Sequence, residues 1–536
     1  MNNNSKITVL LVLVLIIYIY LLIRTPNYIY NGPSVPSTVQ TASFDTLKMV
    51  CKDKLKLVKE KSGLLSPYNK LLMDQVQNAI ENATEIKQLA LASLLMPNNC
   101  IDLAPIYPQT DPLDLTLFQF EQGNIGWYWG YATYINPIAN IMYYIVRIEL
   151  GSPTIREKYN LPLGSTTVYS ISLGIGNNGN WNYSPYIICQ GKYEIFSKTN
   201  FRFTANFDTG YTVFQTTDNI GEFKLDMGWN PATTTIQPTT GPTFMFNSST
   251  IFSSQYPTKP SFNGKGGCSP CISGAGTLYW SYTQFTTQST LSIPSGTLNL
   301  TNGDGWLDHQ WLRGNDPQQL IIKLLNNIKQ LSSFTGGLGR YMWINLHIPK
   351  GSNGTPIQYM ISCFPDSNQT ISEGLSFSTI YNIYSNYYDN NSLNQTGNLQ
   401  ILKTTTINNI VFPTVVSVEV VDFQGSNYKY TVDTTPFGNC VTIDMTSNLH
   451  WSGSAILNDT NQTPIGTAFL EANQFQDPVV YRQNIIKQGN FNPSLQDAYN
   501  QKGAIKPVQI IPTIIVLILP IVLTIMIIIF YRKSKK

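Results

Sequence analysis

From about residue 112 to 480, apolar and polar positions alternate in short runs such as IGWYWGYATYI, NIMYYIVRIEL, TTVYSISLGIG, TLYWSYTQFTT, RYMWINLHIP and VVSVEVVDF. Gly, Asn, Pro or Asp interrupts these runs every 8 to 15 residues. Period-two alternation sends successive side chains to opposite faces of an extended chain, and turn residues at this spacing predict antiparallel strands in a sandwich or barrel. About 370 residues exceeds the needs of one eight-stranded barrel, so the pattern predicts two consecutive β units, 112–300 and 301–480.

Two segments carry a helical period instead. Between 43 and 95 apolar residues recur three and four positions apart, with Ser43 and Ser66 placed as N-caps, which predicts a helical hairpin. The run NDPQQLIIKLLNNIKQLSS, 315–333, predicts a helical insertion between strands.

Near each end lies a long apolar run. Residues 7–23, ITVLLVLVLIIYIYLLI, are uncharged and, at ~1.5 Å per residue, just long enough to cross the hydrocarbon layer. A secretory signal peptide is the alternative, but the run is long for one and no A-x-A-like cleavage site follows. After a Pro/Ser/Thr linker at 25–42 and the main body, a second apolar stretch at 508–531 is closed by the basic tail 532–536, which the positive-inside rule places in the cytosol. The expectation is a two-span protein with the lipid bilayer as partner, its main domain lumenal or extracellular, in a secretory or envelope membrane.

Composition adds to this only modestly. N-x-[ST] triplets, among them Asn82, Asn182 and Asn247, suit a glycoprotein, although an Asn-rich chain also produces them by chance. All seven Cys fall between the two apolar runs, where disulfides would be stable, and the odd count leaves one over. A net charge of +3 with no basic block outside the tail gives no indication of nucleic acid binding.

Several motifs lead nowhere. GIGNNG, 174–179, matches a dinucleotide-binding pattern but continues as NWNYSPY with no helix to follow, so it predicts a turn between strands. His309, His347 and His450 are too scattered to promise a zinc site, and neither metal nor cofactor is expected. Cys268 and Cys271 have redox spacing in a Gly-rich loop, where a loop-tightening disulfide is the favoured reading.

Residues 303–314, GDGWLDHQWLRG, concentrate the remaining chemistry. If this stretch is extended, Trp306, Asp308 and Gln310 share one face while Leu307, His309 and Trp311 share the other. In a barrel only one face looks into the lumen, so Asp308 and His309 cannot both enter it. An Asp in an aromatic lumen would be desolvated and hold a proton at neutral pH as a general acid. The alternative is structural, with Asp308 accepting backbone bonds at a strand corner and His309 satisfying a loop carbonyl. Trp127 and Trp129 share a face and either line the first barrel or serve as buried packing. Glu471 is either a second polar group of the site or an exposed or ion-paired carboxylate.

The string YWSYTQFTTQSTLSIPSGTLNLTNGDGWLDHQWLRG, 279–314, resembles the signature of the carotenoid 1,2-hydratase (hydroxyneurosporene synthase) and AttH-like lipocalin family. GNIGWYWGYATYI at 123–135, the strand pair 338–361 and LHWSGSAILNDTNQTPIGTAFLEA at 449–472 resemble flanking family segments in the right order. The resemblance implies two lipocalin-like barrels with an apolar ligand chamber. It also implies protonation of an isolated alkene by a carboxylic acid that maps onto Asp308, with the π face of Trp306 shielding the resulting cation. Where the hydratases carry a His-x-Trp pair, this chain has Tyr279, Trp280 and Ser281, closer to the AttH-like branch.

The sequence therefore predicts a mainly β protein of two lipocalin-like antiparallel barrels, a helical hairpin and a transmembrane helix at each end. Its candidate catalytic residues are Asp308, Trp306 and His309; Tyr279, Ser281, Gln310, Trp127, Trp129 and Glu471 are candidate contacts to a hydrophobic small molecule of isoprenoid or polyketide type. The rival expectation is a non-catalytic membrane or envelope glycoprotein that uses the barrels as a scaffold.

Overall fold

The computed structural model describes residues 38–61, 67–95, 125–230, 245–312 and 340–475, apart from short breaks within them. The two apolar end runs, the insertion 315–333, Ser66 and Cys271 lie outside the described residues. Among the described residues no helix is long and apolar enough to cross a membrane.

The chain is mainly β. In order, its first strands are β1 (Thr38–Gln40), β2 (Ile125–Ile135), β3 (Ile138–Glu149), β4 (Thr167–Asn177), β5 (Asn180–Tyr183), β6 (Ile187–Cys189), β7 (Lys192–Ile195) and β8 (Phe201–Phe207). They are followed by β9 (Gly210–Thr216), β10 (Glu222–Trp229), β11 (Phe246–Ser254), β12 (Ser261–Phe262), β13 (Cys268–Ser269), β14 (Thr277–Ile293) and β15 (Gly296–Leu312). These form one sheet in the order β1-β7-β8-β9-β10-β11-β14-β15-β2-β3-β4-β5, with β6 also on β4 and the short β12 and β13 on β14.

Only Gln190 and Gly191 separate β6, paired with β4, from β7, paired with β8, so the chain itself links the two arms of an unclosed ladder. The first unit is thus a half-barrel and not the closed barrel expected. It nevertheless curls round its own core: the rings of Tyr128 on β2 and Phe214 on β9, far apart in strand order, lie 5.3 Å apart. Phe223 and Phe252 stack at 4.5 Å in the same core. The GIGNNG segment is the predicted turn, with Asn178 and Gly179 at φ 46° and 78° between β4 and β5.

The second sheet comprises β16 (Tyr341–Ile348), β17 (Ile357–Cys363), β18 (Ser376–Ser385), β19 (Gln395–Ile407), β20 (Ile410–Val421), β21 (Asn427–Asp433), β22 (Val441–Ile443), β23 (Leu449–Asn458) and β24 (Pro464–Asn473). Its order is β21-β20-β19-β18-β17-β16-β24-β23-β22, and β21 pairs back onto β23. Eight strands therefore close into a barrel, which leaves no free edge among them.

The boundary between the units differs from the expected 300/301. Strand β15 forms a long hairpin with β14 and lays its other edge on β2, so the motif strand belongs to the first sheet. The second unit begins at β16.

The segment expected as a helical hairpin contains three helices, α1 (Phe44–Lys61), α2 (Pro67–Asn82) and α3 (Ile86–Leu95). Ser43 caps α1 as predicted, its Oγ accepting the Thr46 N–H at 3.3 Å. Between α2 and α3, the Gln88 side chain accepts the Thr84 N–H at 2.6 Å. Buried Lys54 of α1 donates to Ser93 Oγ of α3 at 2.9 Å and to the Glu149 carbonyl of β3 at 3.1 Å, which ties the helices to the half-barrel. Cys51, Cys189, Cys363 and Cys440 are buried free thiols, so the disulfide expectation finds no support among them.

Candidate functional site

Alternation along β15 separates the motif as the sequence predicts, but the two faces look in unexpected directions. Leu307 packs with Tyr128, Phe214 and Phe252 in the half-barrel core, and His309 stacks on Tyr128 with ring centroids 4.2 Å apart. Trp306 faces outward, its ring 5.5 Å from Trp343 on β16 and 6.1 Å from Tyr384 on β18. Asp308 lies on that outward face, in the seam between the two β units and not in a barrel lumen. The inward positions Gly303 and Gly305 explain the choice. A Cβ there would meet Tyr134 and Thr287, or Phe252 and Phe285, so the lumen is already filled by large side chains.

Trp129 and Tyr131 of β2 occupy the same outward face. Trp129 sets its ring edge-on to Trp343 and Phe469, each at 5.1 Å, and Tyr131 stacks on Phe469 at 4.2 Å. Trp127 is partly buried against this cluster, edge-on to Tyr144 at 6.4 Å. Both tryptophans therefore pack the seam and do not line the first barrel. Polar contacts flank the aromatics: Tyr131 donates to Asn345 Oδ1 at 2.5 Å, Thr133 and Ser454 share a hydrogen bond at 2.7 Å, and Asp304 meets His347 at 3.1 Å and Thr467 at 2.8 Å.

Asp308 is only 2% exposed. Its Oδ1 accepts the indole N–H of Trp306 at 2.5 Å and the hydroxyl of Ser281, its cross-strand neighbour on β14, also at 2.5 Å. Across the seam, β24 supplies Glu471, directly opposite Trp343 in the β16–β24 ladder. Tyr341 donates to Glu471 Oε1 at 2.8 Å and accepts from Asn473 Nδ2 at 3.3 Å. Burial pushes the Glu471 carboxyl up to about 7 from the ordinary 4.5, against the opposing Tyr341 bond, and the charge on Asp308 adds a smaller push. Glu471 is half-buried and, among the described residues, has no ion-pair partner. Burial raises the hydroxyls of Tyr131, Tyr143 and Tyr384, with the Asp308 charge adding to each and the Asp304 charge adding more at Tyr131.

His309 is drawn away from this group. Burial, aided by the Arg147 charge, holds its imidazole well below the ordinary value, and it faces the opposite side of β15 from Asp308. It has no place in a catalytic set with Asp308. Tyr279 and Gln310 face each other in the β14–β15 ladder, but their side chains lie outside the described ones. Among the described residues no group of three or more His, Cys, Asp or Glu could hold a metal ion.

Sequence reasoning did not single out Trp343, Phe469, Tyr341 and Tyr384. One signal was available: the run MWINL, 342–346, is apolar at four of five positions on both faces of the strand, and a strand covered on both faces needs a second layer beyond its own barrel.

No protein-family model matches the chain, and no curated protein matches its sequence. Among solved structures, a protein of Nitrosomonas europaea named for AttH is 12% identical with a TM-score of 0.44, covering 70% of this chain and 100% of its own. Kievitone hydratase from Nectria haematococca is 11% identical with a TM-score of 0.36, over 69% of this chain and 96% of its own.

Proposed function

We propose that the seam between the half-barrel and the barrel holds an apolar, unsaturated small molecule of isoprenoid or polyketide type. In this reading the carboxyl pair Asp308 and Glu471 moves a proton onto and off a carbon–carbon double bond without a cofactor. The observation that carries it is a buried carboxyl, Asp308, fixed by Trp306 and Ser281 among aromatic rings and coupled to a second carboxyl on the facing barrel.

The chemistry follows from those groups. One carboxylic acid gives its proton to an alkene carbon, and the positive charge on the neighbouring carbon is stabilised by the Trp306 π face and the remaining carboxylate. Water then adds to the cation and surrenders a proton to that carboxylate, giving an alcohol; loss of a neighbouring carbon-bound proton gives an isomer instead. Return of a proton to the first carboxyl resets the pair. The 7–23 and 508–531 runs anchor the domain beside the bilayer, from which an apolar ligand partitions.

The tight interlock of Trp129, Trp343, Tyr131 and Phe469 favours a second reading, a non-catalytic membrane glycoprotein whose seam is filled by its own side chains. Solvent extraction of the full-length protein purified from membranes, followed by mass spectrometry, separates the two. A co-purifying polyene that gains deuterium in heavy water with wild type, but not with Asp308→Asn, supports the first reading. Neither ligand nor deuterium uptake supports the second.

A further inference from the structure

Building on the seam reading above, we infer that Glu471 carries the transferable proton and that Asp308, the residue singled out by the motif, is its ionised partner.

The hydrogen bonds distinguish the two carboxyls. Two donors, the Trp306 indole and the Ser281 hydroxyl, converge on a single oxygen of Asp308 at 2.5 Å each. Such donors favour the ionised form of the group they reach, because each bond strengthens when its acceptor carries charge. Glu471 receives one donor, from Tyr341, on Oε1. Since Tyr341 oxygen already accepts from Asn473, its own proton is committed to that oxygen, and Oε2 is left as the position for the acid proton.

The surroundings act in the same direction. No cation among the described residues pairs with Glu471, and the groups that act on it are Asp308 from β15 and Tyr341 from β16, with Tyr144 of β3 reaching it only through Tyr341. Burial and the Asp308 charge together bring its titration to about 7, where a carboxyl both holds and releases a proton readily. Asp308 receives two donors where Glu471 receives one, which makes Asp308 the carboxylate of the pair. The proton donor thus comes from the closed barrel, and the Trp306 face and the carboxylate that receives the proton of water come from the half-barrel.

Difference infrared spectroscopy of the full-length protein, following the protonated-carboxyl C=O band against pH, tests this without any substrate. The expected band titrates near 7, disappears in Glu471→Gln, and in Asp308→Asn persists with its midpoint lowered by ~1 unit, the scale of a neighbouring charge. Tyr341→Phe, which removes the donor to Glu471, shifts the midpoint upward and provides a milder variant should Glu471→Gln fail to fold. A band that survives Glu471→Gln and vanishes in Asp308→Asn overturns the assignment, as does a midpoint unmoved by both Asp308→Asn and Tyr341→Phe. A protein that titrates as described but never binds or deuterates an apolar ligand upholds the assignment and removes the proposed function instead.

Discussion

The indole N–H of Trp306 donates to the carboxylate of Asp308 at 2.5 Å, two residues along the same face of one strand. A local bond of this kind holds the ring and the acid in fixed relation whatever the opposite barrel does. Ser281 adds a second donor from the neighbouring strand. Asp308→Ala removes the acceptor of two donors in a buried site and is expected to cost about 2–4 kcal/mol. Asp308→Asn keeps an oxygen in place and is expected to cost about 1 kcal/mol. Urea unfolding measures both, and equal losses would show that the bonds do not determine the effect.

Glu471 makes stability depend on pH in a defined direction. Its folded value of about 7 lies above the ordinary 4.5, so between these the fold retains a proton that the unfolded chain has released. Stability from this group is complete below 4.5 and is lost as pH rises to about 7, on the order of 2–3 kcal/mol in all. His450 works oppositely: burial lowers it from 6.5 to about 4, so its contribution is lost as pH falls through that range. The difference between wild type and Glu471→Gln isolates the first term. A pH-independent difference would contradict it.

The aromatic seam is a packing unit. Trp129→Ala and Trp343→Ala are each expected to destabilise by about 3–5 kcal/mol, because a large buried ring is replaced by a void. The rings touch edge to face at 5.1 Å, so the double variant loses less than the sum. Additive losses in thermal or denaturant unfolding would mean that the two rings act independently.

Gly130 of β2 leaves no room for a side chain between β15 and Tyr143. A Cβ there would lie 2.6 Å from the Trp306 carbonyl oxygen and 2.5 Å from the Tyr143 hydroxyl, and the first of these belongs to a backbone held on both sides by ladders. Gly130→Ala is expected to cost about 1–3 kcal/mol and to disturb the Trp306 ring. The change in tryptophan fluorescence, together with unfolding, reads both effects; wild-type behaviour in both would show that the strand yields.

Much of the architecture was legible because it is local. Period-two alternation located the strands, the three-and-four spacing located the helical region, Ser43 acted as the predicted cap, and Asn178-Gly179 made the predicted turn. The separation of Asp308 from His309 also followed from alternation alone. The direction each faces did not, because Trp306 and Leu307 are both buried, so hydrophobicity cannot tell lumen from seam. The half-barrel boundary was hidden for a related reason: β15 closes against β2, a pairing between distant segments that no local pattern encodes. The alternatives for Glu471 stayed open in the sequence because its environment is built by Tyr341, Asn473 and a residue from the other sheet.

The polar fasteners between the two β units, Tyr131 to Asn345, Thr133 to Ser454, and Asp304 to His347 and Thr467, draw on β2, β15, β16, β23 and β24, among them the strands of Trp129, Trp306, Trp343, Phe469, Asp308 and Glu471. Relative sliding of the units by a single residue would break every one of these fasteners and part the two acids in the same movement. The alignment of the two units and the placement of their acid groups therefore depend on one shared set of contacts.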